Sequence, residues 1–306
     1  MSGWAFLFPG QGSQAVGMGR ELCAQYPVAR ELFAQADELL DFPLSQRCFA
    51  GPEEELRQTS VTQPALFVHS AAACRILQEL GVQPSWVAGH SLGEYSALVA
   101  AGVLDFATGL KLVRRRGQLM QEQRQGSMAA VLGLEDEQVV AVCGQVPGAV
   151  AANFNAPGQV VISGEVEAVA QAGKLAVEAG AKRVVELPVS GAFHSPLMAP
   201  AAQELASLLQ QVEFKAPQVP VITNVAAAPV SDPHELQQQL IRQMTSPVRW
   251  TAIMQCLEGM GAARALEVGP GNVLRGLARR AAPQVKVMGA GTVEEFAALS
   301  AAQGES

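Results

Sequence analysis

One pentapeptide constrains this chain more tightly than its composition does. Gly89-His90-Ser91-Leu92-Gly93 follows the short apolar run Trp86-Val87-Ala88 and precedes a helical pattern, Glu94 to Ala101, that stops at Gly102. Strand, tight turn and helix form the setting in which G-x-S-x-G acts as a nucleophile elbow, because the reversal is so sharp that the residues flanking the serine must be small. The serine is then presented at a helix N-terminus. There the backbone N–H of Leu92 is free to stabilise an oxyanion, helped by the helix dipole. An ordinary glycine-bounded turn is the competing reading, and the strand–turn–helix context weighs against it.

The same alternation runs along much of the chain. Trp4 to Phe8 is an apolar run ended by Pro9-Gly10, which predicts a buried strand. Helical patterns follow at Arg20 to Gln25, Val28 to Leu40, and Ala65 to Leu80, the last opened by Gln63-Pro64 and closed by Gly81. Strands alternating with helices predict an α/β fold with a mainly parallel sheet covered on both faces. The middle differs: strand (Met128 to Leu132), helix (Asp136 to Cys143), strands (Val150 to Phe154 and Gln159 to Ser163), helix (Val166 to Ala179), strand (Lys182 to Leu187). That order, βαββαβ, is the ferredoxin-like unit. After His194 the larger pattern resumes with a helix (Pro200 to Gln211), a strand (Val219 to Asn224), a helix (His234 to Met244) and a last strand (Arg264 to Val268) meeting Gly269-Pro270-Gly271. Residues 1–126 and 195–306 are therefore expected to form one core carrying the elbow. Residues 127–194 form an inserted subdomain with a histidine at its exit. The 306 residues suit two such units at roughly 150 each.

Composition removes several function classes. Charged residues are only 16% of the chain, against about 25% in ordinary domains, which leaves no room for a long polar disordered region. The net charge of -7 opposes phosphate neutralisation, and aromatics at 5% leave little for base stacking, so nucleic acid is not an expected partner. Cys23, Cys48, Cys74, Cys143 and Cys256 contain no C-x-x-C pair, so neither a disulfide framework nor a zinc site is expected and a reducing cytoplasm fits best. Met1-Ser2-Gly3-Trp4 lacks the basic start of a signal peptide. No apolar run approaches the roughly 18 residues of a membrane span.

A serine nucleophile needs a base. His90 adjoins Ser91, and side chains diverge at a sharp turn, so it reads as a packing residue. His69 lies within the apolar Leu66-Phe67-Val68-His69, and His234 in Ser231-Asp232-Pro233-His234 sits at an exposed helix start. His194, in Ser190-Gly191-Ala192-Phe193-His194-Ser195-Pro196, follows a strand end in a turn-rich loop, where catalytic groups gather. No acid completes a triad: Asp105 and Asp136 read as helix N-caps, and Glu165 and Glu167 flank a helix start. A backbone or side-chain carbonyl orienting the histidine would make a dyad.

Helical phase singles out one arginine. At about 100° per residue, with Val113 as zero, Phe106, Leu110, Leu112, Gly117, Leu119 and Met120 fall in one band; Arg116 lies inside it and Arg114 and Arg115 outside. A guanidinium on an apolar face needs a partner. A protein carboxylate is one, and a substrate carboxylate bound bidentately is the other. The glycine-flanked turn Pro9-Gly10-Gln11-Gly12 carries G-x-G without the rest of a dinucleotide fingerprint. It would expose the Gln11 N–H as a second oxyanion donor.

Together these residues resemble malonyl-CoA:acyl carrier protein transacylases. F-P-G-Q-G-S-Q at Phe8 to Gln14, G-H-S-L-G-E at Gly89 to Glu94, N-F-N-A-P-G-Q at Asn153 to Gln159, G-A-F-H-S at Gly191 to Ser195 and E-V-G-P-G at Glu267 to Gly271 come in the family's order. The resemblance implies a hydrolase-like α/β core with an inserted ferredoxin-like subdomain and no metal or redox cofactor. It also implies malonyl-CoA and a phosphopantetheinylated acyl carrier protein as partners, and a monomer is expected. By position, Ser91 resembles the nucleophile, His194 the base, Arg116 the clamp on the malonyl carboxylate, and the Gln11 and Leu92 amides the oxyanion hole. Gln243 resembles the residue whose main-chain carbonyl orients the histidine, and Asn155 and Gln63 resemble substrate-lining residues. Phe193 resembles the version that selects malonyl over methylmalonyl, because a ring leaves little space for an α-methyl branch. An acidic carrier would need a basic patch, for which Lys182, Arg183, Arg275, Arg279 and Arg280 are the candidates. The rival readings are a discrete malonyl transferase of a polyketide pathway, a serine thioesterase or hydrolase on the same core, and a non-catalytic RNA-binding module.

Overall fold

Ala5, Phe6, Leu7 and Phe8 are wholly buried, and a strand of that kind needs neighbours on both edges and layers on both faces. The computed structural model describes residues 3–123, 125–189 and 191–304; Met1, Ser2 and Ser190 of the sequence reading lie outside the described residues. Around β1 (Trp4–Phe8) it builds a sheet from β2 (Pro84–Gly89), β7 (Val221–Ile222), β8 (Pro229–Val230), β9 (Arg264–Val268) and β10 (Lys286–Ala290). The order is β10-β9-β1-β2-β7-β8. Every pairing is parallel except β7 with β8.

A second sheet holds β3 (Ser127–Leu132), β4 (Ala149–Ala156), β5 (Gln159–Gly164) and β6 (Arg183–Glu186). It is antiparallel, in the order β4-β5-β3-β6, and the helices Asp136–Gly144 and Val166–Glu178 connect its strands as in a βαββαβ unit. It has its own core, including Val131, Val139, Val160, Ile162 and Ala172. A short seam ties it to the first sheet's layer: Phe154 N–H donates to Val248 O and Val248 N–H to Ala152 O, both at 2.9 Å.

Several elements differ from the sequence reading. The helix expected to open at Ala65 starts at Thr59 and carries Pro64 inside it. Proline cannot donate to the carbonyl four residues back, and that carbonyl, Ser60 O, accepts Arg114 Nη1 instead, at 2.8 Å. The strand expected over Val219 to Asn224 is only Val221–Ile222; Pro220 has no N–H for a ladder, and Asn224 turns away toward Ser91. Arg264–Val268 is not the last strand, since β10 follows it as a half-exposed edge. The helix Trp250–Gly259 and β8 had no expectation. Asp105 does cap its helix, accepting Thr108 N–H at 2.8 Å. Asp136 does not: Glu135 is the cap, and its N–H donates back to Gln138 Oε1 at 3.0 Å.

Candidate active site

Register brings the first two turns together. Phe8 pairs with Gly89, so the turns after β1 and β2 leave the sheet side by side, and His90 N–H donates to Phe8 O at 2.9 Å. A methyl group on Gly93 would stand 2.1 Å from Phe8 O, and one on Gly89 would stand 1.9 Å from the Gly93 carbonyl carbon. Both positions therefore require glycine. Ser91 between them has φ 51°, a left-handed conformation that non-glycine residues enter at a cost of about 1–3 kcal/mol. Asn224, just beyond β7, holds it there: Oδ1 accepts Ser91 N–H at 2.7 Å and Nδ2 donates to Gly89 O at 2.6 Å.

His194 arrives after the second sheet, also left-handed, with φ 57°. Its Nε2 is 2.7 Å from Ser91 Oγ. Nδ1 faces two backbone carbonyls, Gln243 O at 3.1 Å and Ser246 O at 3.0 Å. Carbonyls only accept, so Nδ1 carries the hydrogen and Nε2 offers its lone pair to the serine hydroxyl. Burial, reinforced by the Arg116 charge, pushes the imidazole down to about 3, so it is neutral at physiological pH. No acid is needed to hold it.

Arg116 is 1% exposed. Nη1 donates to Gln63 Oε1 at 2.9 Å; Nη2 donates to Ser91 Oγ and to Gln243 Oε1, both at 3.1 Å. Its hydrogen-bond partners are two neutral amides and the serine; among the described residues no carboxylate forms an ion pair with it. Nε has no partner. The neighbouring arginines are partly buried and paired: Arg114 with Asp41 at 2.9 Å, and Arg115 with Glu122 at 3.3 Å and with Glu204.

A pocket of about 170 Å3 collects the candidates: Gln11, Gln63, Ser91, Leu92, Arg116, Asn155, Phe193 and His194 all line it. Gln243 stands behind that wall, with its carbonyl on His194 and its amide on Arg116. His90 lines the same pocket; Asn155 Oδ1 lies 2.8 Å from its Nε2, and its ring packs 5.5 Å from Trp250. His69 is buried with Nε2 at 3.0 Å from Gly291 O, and His234 is exposed. Among the described residues, no group of three or more His, Cys, Asp or Glu side chains could hold a metal ion, and no helix is long and apolar enough to cross a membrane.

Three participants escaped the sequence reading. Ser246 contributes only a backbone oxygen, which leaves no trace in side-chain pattern. Asn224 could have been flagged as a polar residue just past a parallel strand, where sites collect. Glu94 is 1% exposed, and its Oε2 accepts Asn224 N–H at 2.9 Å and Gln243 Nε2 at 3.0 Å. Burial pushes this carboxyl up to about 7. Glu267, in the last motif, serves the scaffold: its two oxygens accept the N–H groups of Leu274 and Arg275, each at 2.9 Å. Of the proposed basic patch, Arg275 is occupied, pairing with Glu295 at 3.0 Å and Glu267 at 3.5 Å. Arg280 reaches Gln159 Oε1, and Lys182, Arg183 and Arg279 are exposed.

Residues 5–293 match the acyl transferase domain family. The chain is 46% identical to the malonyl CoA-acyl carrier protein transacylase of Salmonella typhimurium over 99% of both chains. It belongs to this family of acyl transferases. The transacylase of Bacillus subtilis is 45% identical, covering 94% of this chain and 93% of the relative. Among solved structures, an acyl carrier protein S-malonyltransferase from Vibrio cholerae superposes with a TM-score of 0.95 at 48% identity, over 97% of this chain and 100% of that one. A malonyl-transacylase in complex with its type II polyketide acyl-carrier protein gives 0.95 at 42% identity, over 98% of this chain and 100% of that one. The family accounts for both the mainly parallel sheet and the antiparallel one.

Proposed function

We propose that this chain moves a malonyl group from malonyl-CoA to the phosphopantetheine thiol of an acyl carrier protein, through a malonyl-Ser91 ester, for fatty acid biosynthesis. The observation that carries the reading is the position of Ser91 Oγ, 2.7 Å from a neutral imidazole nitrogen and 3.1 Å from a buried guanidinium that has no carboxylate partner. His194 Nε2 takes the Oγ proton as Ser91 attacks the thioester carbonyl, a general-base contribution of roughly 10²–10⁴-fold. The Gln11 and Leu92 N–H groups receive the oxyanion; one such donor contributes roughly 10²–10³-fold. The thiolate of coenzyme A leaves with the proton returned by His194. The carrier thiol then repeats the sequence on the serine ester.

The substrate carboxylate supplies the direct ionic contact that Arg116 lacks. Phe193 closes the space beside the α-carbon, Asn155 and Gln63 shape the rest of the wall, and the Gln243 carbonyl aims the imidazole. A groove of about 340 Å3 shares Gln11, Leu187 and Val189 with the pocket and continues past Arg57; it suits the extended pantetheine arm common to donor and acceptor. The cycle uses no metal or redox cofactor, and we assign the enzyme to the cytoplasm as a monomer that meets no membrane or nucleic acid. The carrier would dock on Lys182, Arg183, Arg279 and Arg280. Gln159, Leu132 and Arg183 are successive cross-strand partners, so the Gln159-bound Arg280 and Arg183 share one end of the second sheet.

Intact-mass analysis after mixing with malonyl-CoA is expected to show a malonyl adduct that Ser91→Ala abolishes. Arg116→Ala should cut the preference for malonyl over acetyl by about thirtyfold or more, as loss of a buried ionic partner does; an unchanged preference would remove the clamp. With a carrier protein present, malonyl-carrier should accumulate; free malonate instead would mark a hydrolase. Charge reversal at Lys182 and Arg183 should slow transfer to the carrier while leaving loading from malonyl-CoA intact. Equal effects on both half-reactions would move the docking surface elsewhere.

A further inference from the structure

Two fully buried charges meet across one neutral amide. Gln243 Oε1 accepts from Arg116 Nη2 at 3.1 Å, while Gln243 Nε2 donates to Glu94 Oε2 at 3.0 Å and to Ser91 O at 2.9 Å. Arg116 and Glu94 are each 1% exposed, so the protein's own side chains place one positive and one negative charge in a medium where an uncompensated charge is costly. A malonyl carboxylate on Arg116 adds a second negative charge. The Proposed function reading therefore creates a charge imbalance that the site must discharge.

We propose that Glu94 is the resident counter-charge of Arg116 and takes up a proton from solvent when a malonyl group is loaded. The covalent step itself is proton-neutral: the Ser91 Oγ–H proton passes through His194 to the departing thiolate of coenzyme A, and the ester forms as the thioester breaks. The extra proton comes from water and converts the Glu94 carboxylate to the acid. It has a place to sit, because among the described residues the N–H donors to Glu94, Asn224 N and Gln243 Nε2, fall on Oε2 and leave Oε1.

The surroundings single out Glu94 for this role. On its own helix, Gly93–Ala100, Tyr95 is the titratable neighbour, and burial drives that phenol up to about 12. From the helix Phe106–Glu122 the facing charge is Arg116. The strands β1 and β2 present no titratable side chain. On the helix Thr59–Glu79, His69 is tied to Gly291 O, and Cys74 lines a cavity with Ser96 on another face of the Glu94 helix. Around Ser91, burial lowers both His90 and His194, the latter to about 3. Burial also brings Glu94 to about 7, against the pull of its hydrogen bonds and of Arg116. Neutralising Arg116 with a substrate carboxylate weakens the last of these and moves Glu94 further up. By linkage, an anion whose binding raises a pKa binds more tightly as pH falls through that pKa.

Proton uptake is read with an indicator in weak buffer at pH 7.5 as malonyl-CoA is added, alongside adduct formation by intact mass. Wild type should take up a substantial fraction of a proton per malonyl adduct, and Glu94→Gln close to none. The ratio of malonyl to acetyl loading, in which His194 titration cancels, should rise about three- to tenfold from pH 8.5 to pH 6.0 in wild type, since one proton changes it by at most tenfold per pH unit. In Glu94→Gln it should stay flat. Should that variant not fold, wild type alone decides, because malonyl-CoA must take up more proton than acetyl-CoA per adduct. Equal uptake for both substrates, or a flat ratio in wild type, overturns the proposal. Absence of any malonyl adduct would instead overturn the transferase reading on which it rests.

Discussion

Two short segments converge on Ser91, and they are built in opposite ways. From Gly89 to Gly93 the geometry is enforced by side chains that are missing: added methyl groups would collide with backbone at about 2 Å on both flanks. From Gln243 to Val248 it is enforced by backbone that is present, with the Gln243 and Ser246 carbonyls on His194 and Val248 bridged to β4. The first segment can be spelled by few residue types. The carbonyls of the second could come from many residue types, because a backbone oxygen leaves no side-chain signature. A glycine-flanked serine turn thus advertises itself in sequence, while the carbonyls that orient the neighbouring histidine need not.

The largest effect is expected on the first segment. Gly93→Ala places a methyl group 2.1 Å from Phe8 O, and neither strand can retreat without opening the β1–β2 pairing. Such overpacking costs about 1–3 kcal/mol and occasionally more. Thermal unfolding should fall by on the order of 2–10 °C, given about 2–4 °C per kcal/mol in a large domain. Malonyl loading should fall with it, since the displaced turns carry both Gln11 and Ser91. A variant with unchanged unfolding temperature and activity would show that the elbow tolerates what its geometry forbids.

This contrast explains what could be read before the fold was known. The elbow, Arg116 and the βαββαβ order each follow from a local rule: small residues at a sharp turn, a charge in an apolar helical band, a strand–helix alternation. His194 follows from setting aside three other histidines, of which His69 is buried, His234 is exposed and His90 lines the pocket beside it. Gln243, Asn155 and Gln63 came from family resemblance, since no local rule marks them. Pro64 misled, because its missing hydrogen bond is repaired by Arg114, some 50 residues away in sequence. Glu94 lies inside a motif that was already in view. Its importance is a matter of burial and of the amide it faces, which only three dimensions reveal.

The smaller effects test the second segment and separate its two kinds of contribution. Gln243 acts through both its carbonyl and its side chain, whereas Ser246 reaches His194 through its carbonyl alone. Gln243→Ala keeps the carbonyl but takes one hydrogen bond each from Arg116 Nη2, the Ser91 carbonyl and Glu94, which retain Ser91 Oγ, Glu94 N–H and Asn224 N–H respectively. Hydrogen bonds to charged groups contribute about 1.5–3 kcal/mol each, so kcat/KM for malonyl-CoA should drop by roughly ten- to a hundredfold. Acetyl loading should drop less, because it does not use the guanidinium. Ser246→Ala removes a hydroxyl and leaves the oxygen 3.0 Å from Nδ1 in place, so its kcat/KM should stay within about threefold of wild type, a difference below 0.7 kcal/mol. Matching losses in the two variants would mean that the serine hydroxyl, not the backbone, holds the imidazole. The contrast between the two segments would then fail at its weaker half.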